Sequence, residues 1–234
     1  MEIHAIASGS SGNCFLISDG KTKLLLDAGI PMRTIQEKAG FILSDVEGAL
    51  ITHEHQDHAK SALYLIRRGI DLYTSAGTAK ALDLLYHYRV KLVRKLQRYF
   101  IGTWEVLPFD VQHDCADPLG FLLTSTHTGE KLLYFTDTYY IKYKFKGLTH
   151  IIGECNHDTD LVLQSMEAGA IPADLAPRLV KSHMSLKRFC EFLQANDLSK
   201  VKEIHLIHLS NNNADAPRFL ETVQKLTGKE CYVH

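Results

Sequence analysis

The chain has 234 residues, 45% hydrophobic and 23% charged, with a formal net charge of −1. That length fits one large domain or two small ones and can bury a full core. The near-zero charge excludes a global attraction to nucleic acid or membrane, so affinity for a polyanion must come from a local patch. No apolar run approaches the roughly 20 residues needed to span a bilayer. Met1 to Ile6 is too short and too acidic for a signal peptide. The five cysteines are scattered and form no C-x-x-C pair, which points to reduced thiols in a cytoplasmic setting.

In chain order, two apolar runs, Ile3 to Ala7 and Cys14 to Ser18, flank Ser8-Gly9-Ser10-Ser11-Gly12-Asn13. This reads as a hairpin-like turn rather than a linker. Lys23 to Leu26 is a strand leading into Asp27, and Pro31 to Ala39 a short helix. Ala49 to Thr52 reads as a buried strand, Ala59 to Arg68 as a helix, Leu72 to Thr74 as a strand and Thr78 to Tyr88 as a helix. Strand-like runs follow at Trp104 to Gln112, Leu119 to Thr126 and Lys131 to Thr136, the last two joined by the turn His127-Thr128-Gly129-Glu130. The remainder alternates a strand (His150 to Gly153), two helices (Leu161 to Ala168, Leu186 to Ala195), a strand (Glu203 to Leu209) and a final helix (Ala216 to Leu226). The pattern predicts an α/β domain whose sheets are covered by helices.

Thirteen histidines are the one compositional excess. Three of them fall in His53-Glu54-His55-Gln56-Asp57-His58, directly after the apolar Gly48-Ala49-Leu50-Ile51. Imidazole nitrogens and carboxylate oxygens are the usual ligands of Zn²⁺ and similar ions. His53 and His55 alternate with non-ligands and can reach one ion, while Asp57 and His58 can turn toward a second. A solvated His-rich loop is the alternative, and the acidic residues and apolar flanks argue against it. A binuclear site needs more ligands, and three places share one signature: His113 after Phe109-Asp110-Val111-Gln112, Asp137 after Leu133-Tyr134-Phe135-Thr136, and His208 after Ile204-His205-Leu206-Ile207. Asp27, after Leu24-Leu25-Leu26, is placed alike. A polar ligand type at a strand end is held rigidly by the sheet.

Asp27, the His53-x-His55-x-Asp57-His58 motif, His113, Asp137 and His208 resemble, in order, the five sequence motifs of the metallo-β-lactamase superfamily, over nearly the whole chain. Ser8 to Asn13, His113-Asp114-Cys115-Ala116-Asp117-Pro118, Thr136-Asp137-Thr138, Glu154-Cys155-Asn156-His157-Asp158, Ser182-His183-Met184-Ser185 and His208-Leu209-Ser210 with Asn213 are similar to its small, single-domain, exonuclease-like branch. The resemblance implies a single domain over residues 1–234. Its fold would be an αββα sandwich, two mixed β-sheets packed face to face with helices outside. It assigns one metal to His53, His55 and His113 and a second to Asp57, His58 and His208, with Asp137 bridging. Zn²⁺ is the first expectation, and Mn²⁺ also suits the carboxylate ligands. Asp27 would stand behind the ligands, accepting a ring N–H and fixing a histidine tautomer; a helix cap or turn residue is the plainer reading. Two such ions can activate a bridging hydroxide and stabilise both oxygens of an in-line displacement. Asp57 would orient that nucleophile or take its proton. His183 would protonate the leaving group, unless it is a surface-loop histidine, and Glu154 would orient His183. His205, out of phase with His208 along one strand, faces the other way and is expected to be structural; His157 is placed either lining the cleft or outside it.

Two basic-aromatic stretches bear on the substrate. Residues 86–99 carry Arg89, Lys91, Arg94, Lys95 and Arg98 among tyrosines with no acid between them, and an amphipathic helix with a solvated basic face is the favoured reading. Residues 139–146 hold Tyr139, Tyr140, Lys142, Tyr143, Lys144, Phe145 and Lys146 directly after Asp137. Single strands are held by cations along the backbone and by aromatic rings under the bases. Tyr139, Tyr140, Lys142, Lys144 and Asn213 are therefore candidate contacts. The expected activity is a metal-dependent nucleic-acid phosphodiesterase acting on single strands or 5′ ends of DNA or RNA, with no membrane partner. A small-molecule hydrolase (cyclic phosphodiesterase, thioesterase or lactonase) and a non-catalytic metal-binding regulator are the alternatives.

Overall fold

The computed structural model describes residues 1–40, 42–169 and 181–234. The chain forms two compact units, one of Met1–Asp110 with Cys115–Glu130 and one of Val111–Asp114 with Lys131–His234.

In the first unit, β1 (Glu2–Ala7), β2 (Cys14–Ser18), β3 (Lys23–Leu26), β4 (Val46–Leu50), β5 (Asp71–Thr74) and β6 (Val90–Leu92) lie side by side in chain order. The first three are antiparallel and β3 to β6 are parallel. Runs such as Leu24-Leu25-Leu26 are buried without alternation, as strands covered on both faces should be. Four short helices accompany the sheet: α1 (Met32–Lys38), α2 (Gln56–Ala59), α3 (Ala62–Arg67) and α4 (Ala76–Ala81). Ile35, Leu65 and Ile66 join Leu25, Ala49 and Leu72 in one apolar cluster, each full burial being worth about 1.5–3 kcal/mol for a side chain of this size.

The expected helix from Ala59 to Arg68 is broken in two. Ser61 donates its N–H to Ala28 O (2.8 Å) and its hydroxyl to Ile30 O (2.6 Å), which draws the chain out of the helical ladder. The helix expected over Thr78 to Tyr88 runs only from Ala76 to Ala81, and Asp83 beyond it adopts a left-handed φ of 57°, a conformation that continues no α-helix. The same unit holds an antiparallel meander, β7 (Tyr99–Ile101), β8 (Trp104–Asp110) and β9 (Leu119–Ser125). Asp19, in the β2–β3 turn, ties to it: one carboxylate oxygen accepts from the hydroxyls of Thr103 and Ser125, both at 2.6 Å. Burial opposes that charge, but these bonds and two backbone N–H donors hold the carboxyl down at about 2.

The second unit is built on a parallel sheet, β10 (Lys131–Phe135), β11 (His150–Glu154), β12 (Glu203–Ile207) and β13 (Glu230–Val233). Its crossovers carry α5 (Thr159–Glu167), α6 (Leu186–Ala195) and α7 (Ala216–Thr227). Helix α6 spans the residues expected from sequence; Ser185 caps it by accepting from Arg188 N, and Leu186, Phe189, Phe192 and Leu193 form its buried stripe. Gly153 lets that stripe close on the sheet, because a Cβ there would overlap the rings of Phe135 and Phe189. Strand β13 went unforeseen, being four residues with no clear alternation.

Candidate functional site

Each unit concentrates expected ligands at the carboxyl ends of its strands. In the first, β4 runs out into Thr52 and His53, and α2 begins at Gln56 with His55 as its N-cap residue. Asp27, fully buried past the end of β3, organises this loop. It accepts from Thr52 N (2.8 Å), from the Thr52 hydroxyl (3.0 Å) and from His58 Nδ1–H (2.8 Å). With its proton given to Asp27, the Thr52 hydroxyl oxygen accepts from His53 Nδ1–H at 3.0 Å. The bonding thus assigns the Nδ1–H tautomer to both His53 and His58, leaving Nε2 of each unprotonated. His53 Nε2 and His55 Nδ1 face each other at 3.1 Å, and Asp57 Oδ2 lies 3.4 Å from His58 Nε2.

The Ser8–Asn13 turn does more than link strands. Asn13 binds Asp57 O through its own N–H (2.7 Å) and through its side-chain amide (3.3 Å), and that amide also lies 3.3 Å from His58 Nε2. Gly29 packs so closely on the other side that a Cβ would collide with the Asp57 carbonyl. Glu54, between the two alternating histidines, turns away and accepts from Ala116 N at 2.7 Å.

In the second unit Asp137 follows β10, and its two carboxylate oxygens face two different imidazoles. Oδ2 lies 3.3 Å from His113 Nε2, and Oδ1 lies 3.4 Å from His208 Nε2. His113 donates Nδ1–H to Ser182 O (3.3 Å), which turns its Nε2 toward Asp137. Glu154, at the end of β11 and fully buried, supports His208 and His183 together: Oε1 lies 2.6 Å from His183 Nδ1 and 3.4 Å from His208 Nδ1. Its Oε2 accepts from Thr138 N (2.8 Å) and Met184 N (3.2 Å). Asn156 adds a bond from its amide to His208 O at 2.7 Å. Ligand-type atoms of Asp137, Glu154, His183 and His208 all lie within 4.8 Å of one another.

Burial disfavours charge on both Glu154 and His183, but their pairing outweighs it. The carboxyl is held below its usual range and the imidazole above its own, so the pairing favours the ionised form of each. His157 has no such partner. Burial drives it to about 4, and neither ring nitrogen makes a hydrogen bond. His205 packs instead among Glu203, His234 and the stacked Tyr232 ring, also at about 4 through burial.

Three expected residues stand out by backbone conformation. Asp27 (φ 56°), Asp137 (φ 47°) and His208 (φ 56°) are three of the five non-glycine residues with positive φ among the described residues. Such conformations cost on the order of 1–3 kcal/mol and cluster at functional sites. The donor set suits a divalent ion of borderline softness: imidazole nitrogens with the opposite nitrogen held, and carboxylates. Among the described residues no cysteine belongs to the clusters that could hold an ion, and burial pushes the Cys14 and Cys155 thiols up.

The candidate substrate contacts separate. Tyr139 is half-buried with the Arg188 guanidinium over its ring, while Tyr140, Lys142 and Lys144 are exposed. Asn213 is 3% exposed with its amide held to Ser210 Oγ (3.3 Å), inside the loop wall rather than on the surface. Residues 86–99 form no helix, correcting the favoured reading. Their cations find acids elsewhere in the same unit: Arg89 and Lys91 pair with Asp71, Lys95 with Asp117 and Arg98 with Glu105. Sequence reasoning gave no individual role to Thr52, Asn13 or Asn156, although Asn13 and Asn156 lie within segments similar to the exonuclease-like branch and Thr52 directly precedes the histidine motif.

The metallo-beta-lactamase superfamily model matches residues 7–129. The chain is 28% identical to exodeoxyribonuclease YycJ of Bacillus anthracis, over 91% of this chain and 84% of that protein. It is 30% identical to exodeoxyribonuclease WalJ of Streptococcus pneumoniae, over 89% and 81%. Among solved structures it resembles the metallo-beta-lactamase fold protein YhfI from Bacillus subtilis (TM-score 0.71, 14% identity, 99% and 95% covered). It also resembles the short form of human tRNase Z (TM-score 0.66, 16% identity, 100% and 96% covered). These likenesses show the α/β sandwich expected from the sequence. Among the described residues no helix is long and apolar enough to cross a membrane.

Proposed function

The chain belongs to the metallo-β-lactamase superfamily, and from that premise we propose a binuclear-metal phosphodiesterase acting on nucleic acid as an exonuclease. The observation that carries this reading is Asp137: a left-handed strand-end residue whose two carboxylate oxygens each face a different imidazole, as a carboxylate shared by two ions requires. In this proposal His53, His55 and His113 would hold one ion, Asp57, His58 and His208 would hold the other, and Asp137 would offer a carboxylate to both. Zn²⁺ fits the nitrogen-rich donors and Mn²⁺ the carboxylates. When bound, such a pair of ions supplies Lewis acidity toward the scissile phosphate and acidifies the attacking water.

The rest of the chemistry belongs to the side chains. Asp57 orients the attacking water and accepts its proton. His183, kept as an imidazolium by Glu154, donates from its other ring nitrogen to the leaving oxygen. Asp27 acts through His58 and Thr52, holding the ligand tautomers. Lys142, Lys144 and Tyr140 present charge and an aromatic surface to the strand. The relatives that carry the name exodeoxyribonuclease support DNA as the substrate. The cavity at His113, about 340 Å³ and open to solvent beside Tyr139 and Lys181, favours a strand over an enclosed small molecule.

The test compares 5′-phosphorylated and 5′-hydroxyl oligonucleotides, DNA and RNA, with a small generic phosphodiester under Zn²⁺ and Mn²⁺. Stepwise shortening of single-stranded DNA is expected, with close to two ions per chain by metal analysis. Efficient cleavage of the small ester with intact oligonucleotides would instead establish a small-molecule hydrolase.

A further inference from the structure

A second cavity, of about 230 Å³, lies between the 140–144 loop and helix α6. Its apolar part comes from Ile141, Met184 and Phe192, all buried. Its rim carries Lys142, Lys144 and Arg188 against one carboxylate, Glu191. The loop has no strand ladder, yet its side chains alternate: Ile141 and Phe145 point in, and Lys142, Lys144 and Lys146 point out. It is pinned to the end of α6 by Phe145 N donating to Asn196 Oδ1 at 2.7 Å, so the cavity is formed before any ligand arrives.

Arg188 connects this cavity to the one at His113. Its guanidinium donates to Tyr139 O (3.0 Å) and lies 5.1 Å above the Tyr139 ring. Arg188 lines the 140–144 cavity and Tyr139 lines the cavity at His113, so this stacked pair is the partition between them. Met184 in the cavity wall directly follows His183.

We propose that the cavity between the 140–144 loop and α6 binds one nucleobase of a single-stranded substrate, at a nucleotide next to the one being cut. This rests on the phosphodiesterase reading above and goes beyond it by assigning a base subsite. The chemistry matches a base and its flanking phosphates. An apolar slot edged by aromatic rings takes a flat heterocycle, and lysines at the mouth take the phosphates. The volume is below the roughly 300–1,000 Å³ of drug-sized sites, which suits one base rather than two. Recognition through a π-face and an apolar floor makes the subsite tolerant of sequence, as an enzyme that moves along a strand needs.

The test uses metal-loaded protein and 5′-phosphorylated single-stranded oligodeoxynucleotides with phosphorothioate linkages to slow turnover. Each carries one abasic residue, placed at successive positions from the end. Affinity is read by fluorescence anisotropy and cleavage in parallel. At one position the missing base should raise Kd roughly tenfold, with neighbouring positions much less affected. Ala195→Trp fills the cavity from its exposed rim. It should raise Kd for the intact strand to the same level and erase the positional difference. Affinity indifferent to the abasic position, or a positional effect that persists in Ala195→Trp, overturns the base subsite. Position-dependent binding without any cleavage would support the subsite and sink the phosphodiesterase reading, so the two can fail separately.

Discussion

In the first unit the His53–His58 loop is held by many small contributions: Asp27, the Thr52 hydroxyl, the Asn13 amide and the close approach of Gly29. In the second, one buried carboxylate, Glu154, supports His208, His183 and the backbone N–H groups of Thr138 and Met184. Distributed support tolerates the loss of one bond, whereas concentrated support couples everything it touches. A substitution at Glu154 should therefore disturb ligand geometry and proton donation together, while one at Asp27 should disturb ligand geometry alone.

The largest effect belongs to neither support but to the chemistry both serve. Asp57→Asn should abolish cleavage with the circular dichroism spectrum unchanged, and a wild-type rate in that variant would remove Asp57 from the mechanism. His183→Ala should slow single-turnover cleavage about 10²–10⁴-fold while metal content stays the same. Glu154→Gln and Asp27→Asn then test the comparison itself. Both should weaken metal binding by roughly 10–100-fold, measured by competition with a chelating dye. They should differ in pH dependence. The imidazolium of His183 is active, and Glu154 holds its pKa above the ordinary value of about 6.5. The wild-type rate therefore has a limb that falls as pH rises through that raised pKa. In Glu154→Gln burial acts unopposed and the falling limb should move to lower pH; in Asp27→Asn it should stay in place. Equal limbs in the two variants would mean that the supports do not differ in kind. The smallest effect should come from replacing Lys142, Lys144 and Lys146 together, which should weaken oligonucleotide binding and flatten its salt dependence by about three counterions.

The ligands were legible in the sequence because each combines two signals, an apolar strand and a polar metal-ligand type at its end. Helix α6 was legible for a similar reason, since its apolar stripe and its Ser185 cap agree. What surrounds the ligands was not. Thr52 and Asn156 matter through bonds to residues one and 52 positions away, and nothing local distinguishes a threonine that relays a proton from one that fills a strand. The two basic-aromatic stretches show the same limit. By composition they are alike, yet acids from distant strands neutralise Arg89, Lys91, Lys95 and Arg98, while Lys142 and Lys144 stand at the mouth of a cavity. Partner identity is tertiary information, so a run of like charges in sequence is only an upper bound on the charge a surface presents.

The left-handed backbone at Asp27, Asp137 and His208 has a consequence for how this chain can change. Glycine adopts that conformation without steric cost, so backbone strain taken alone favours glycine at all three positions. The same replacements remove a carboxylate from the strand ends of the first unit and a carboxylate and an imidazole from those of the second. Loaded and empty protein thus rank one substitution in opposite orders, and the residues that look like errors of folding are a record of what the fold is kept for.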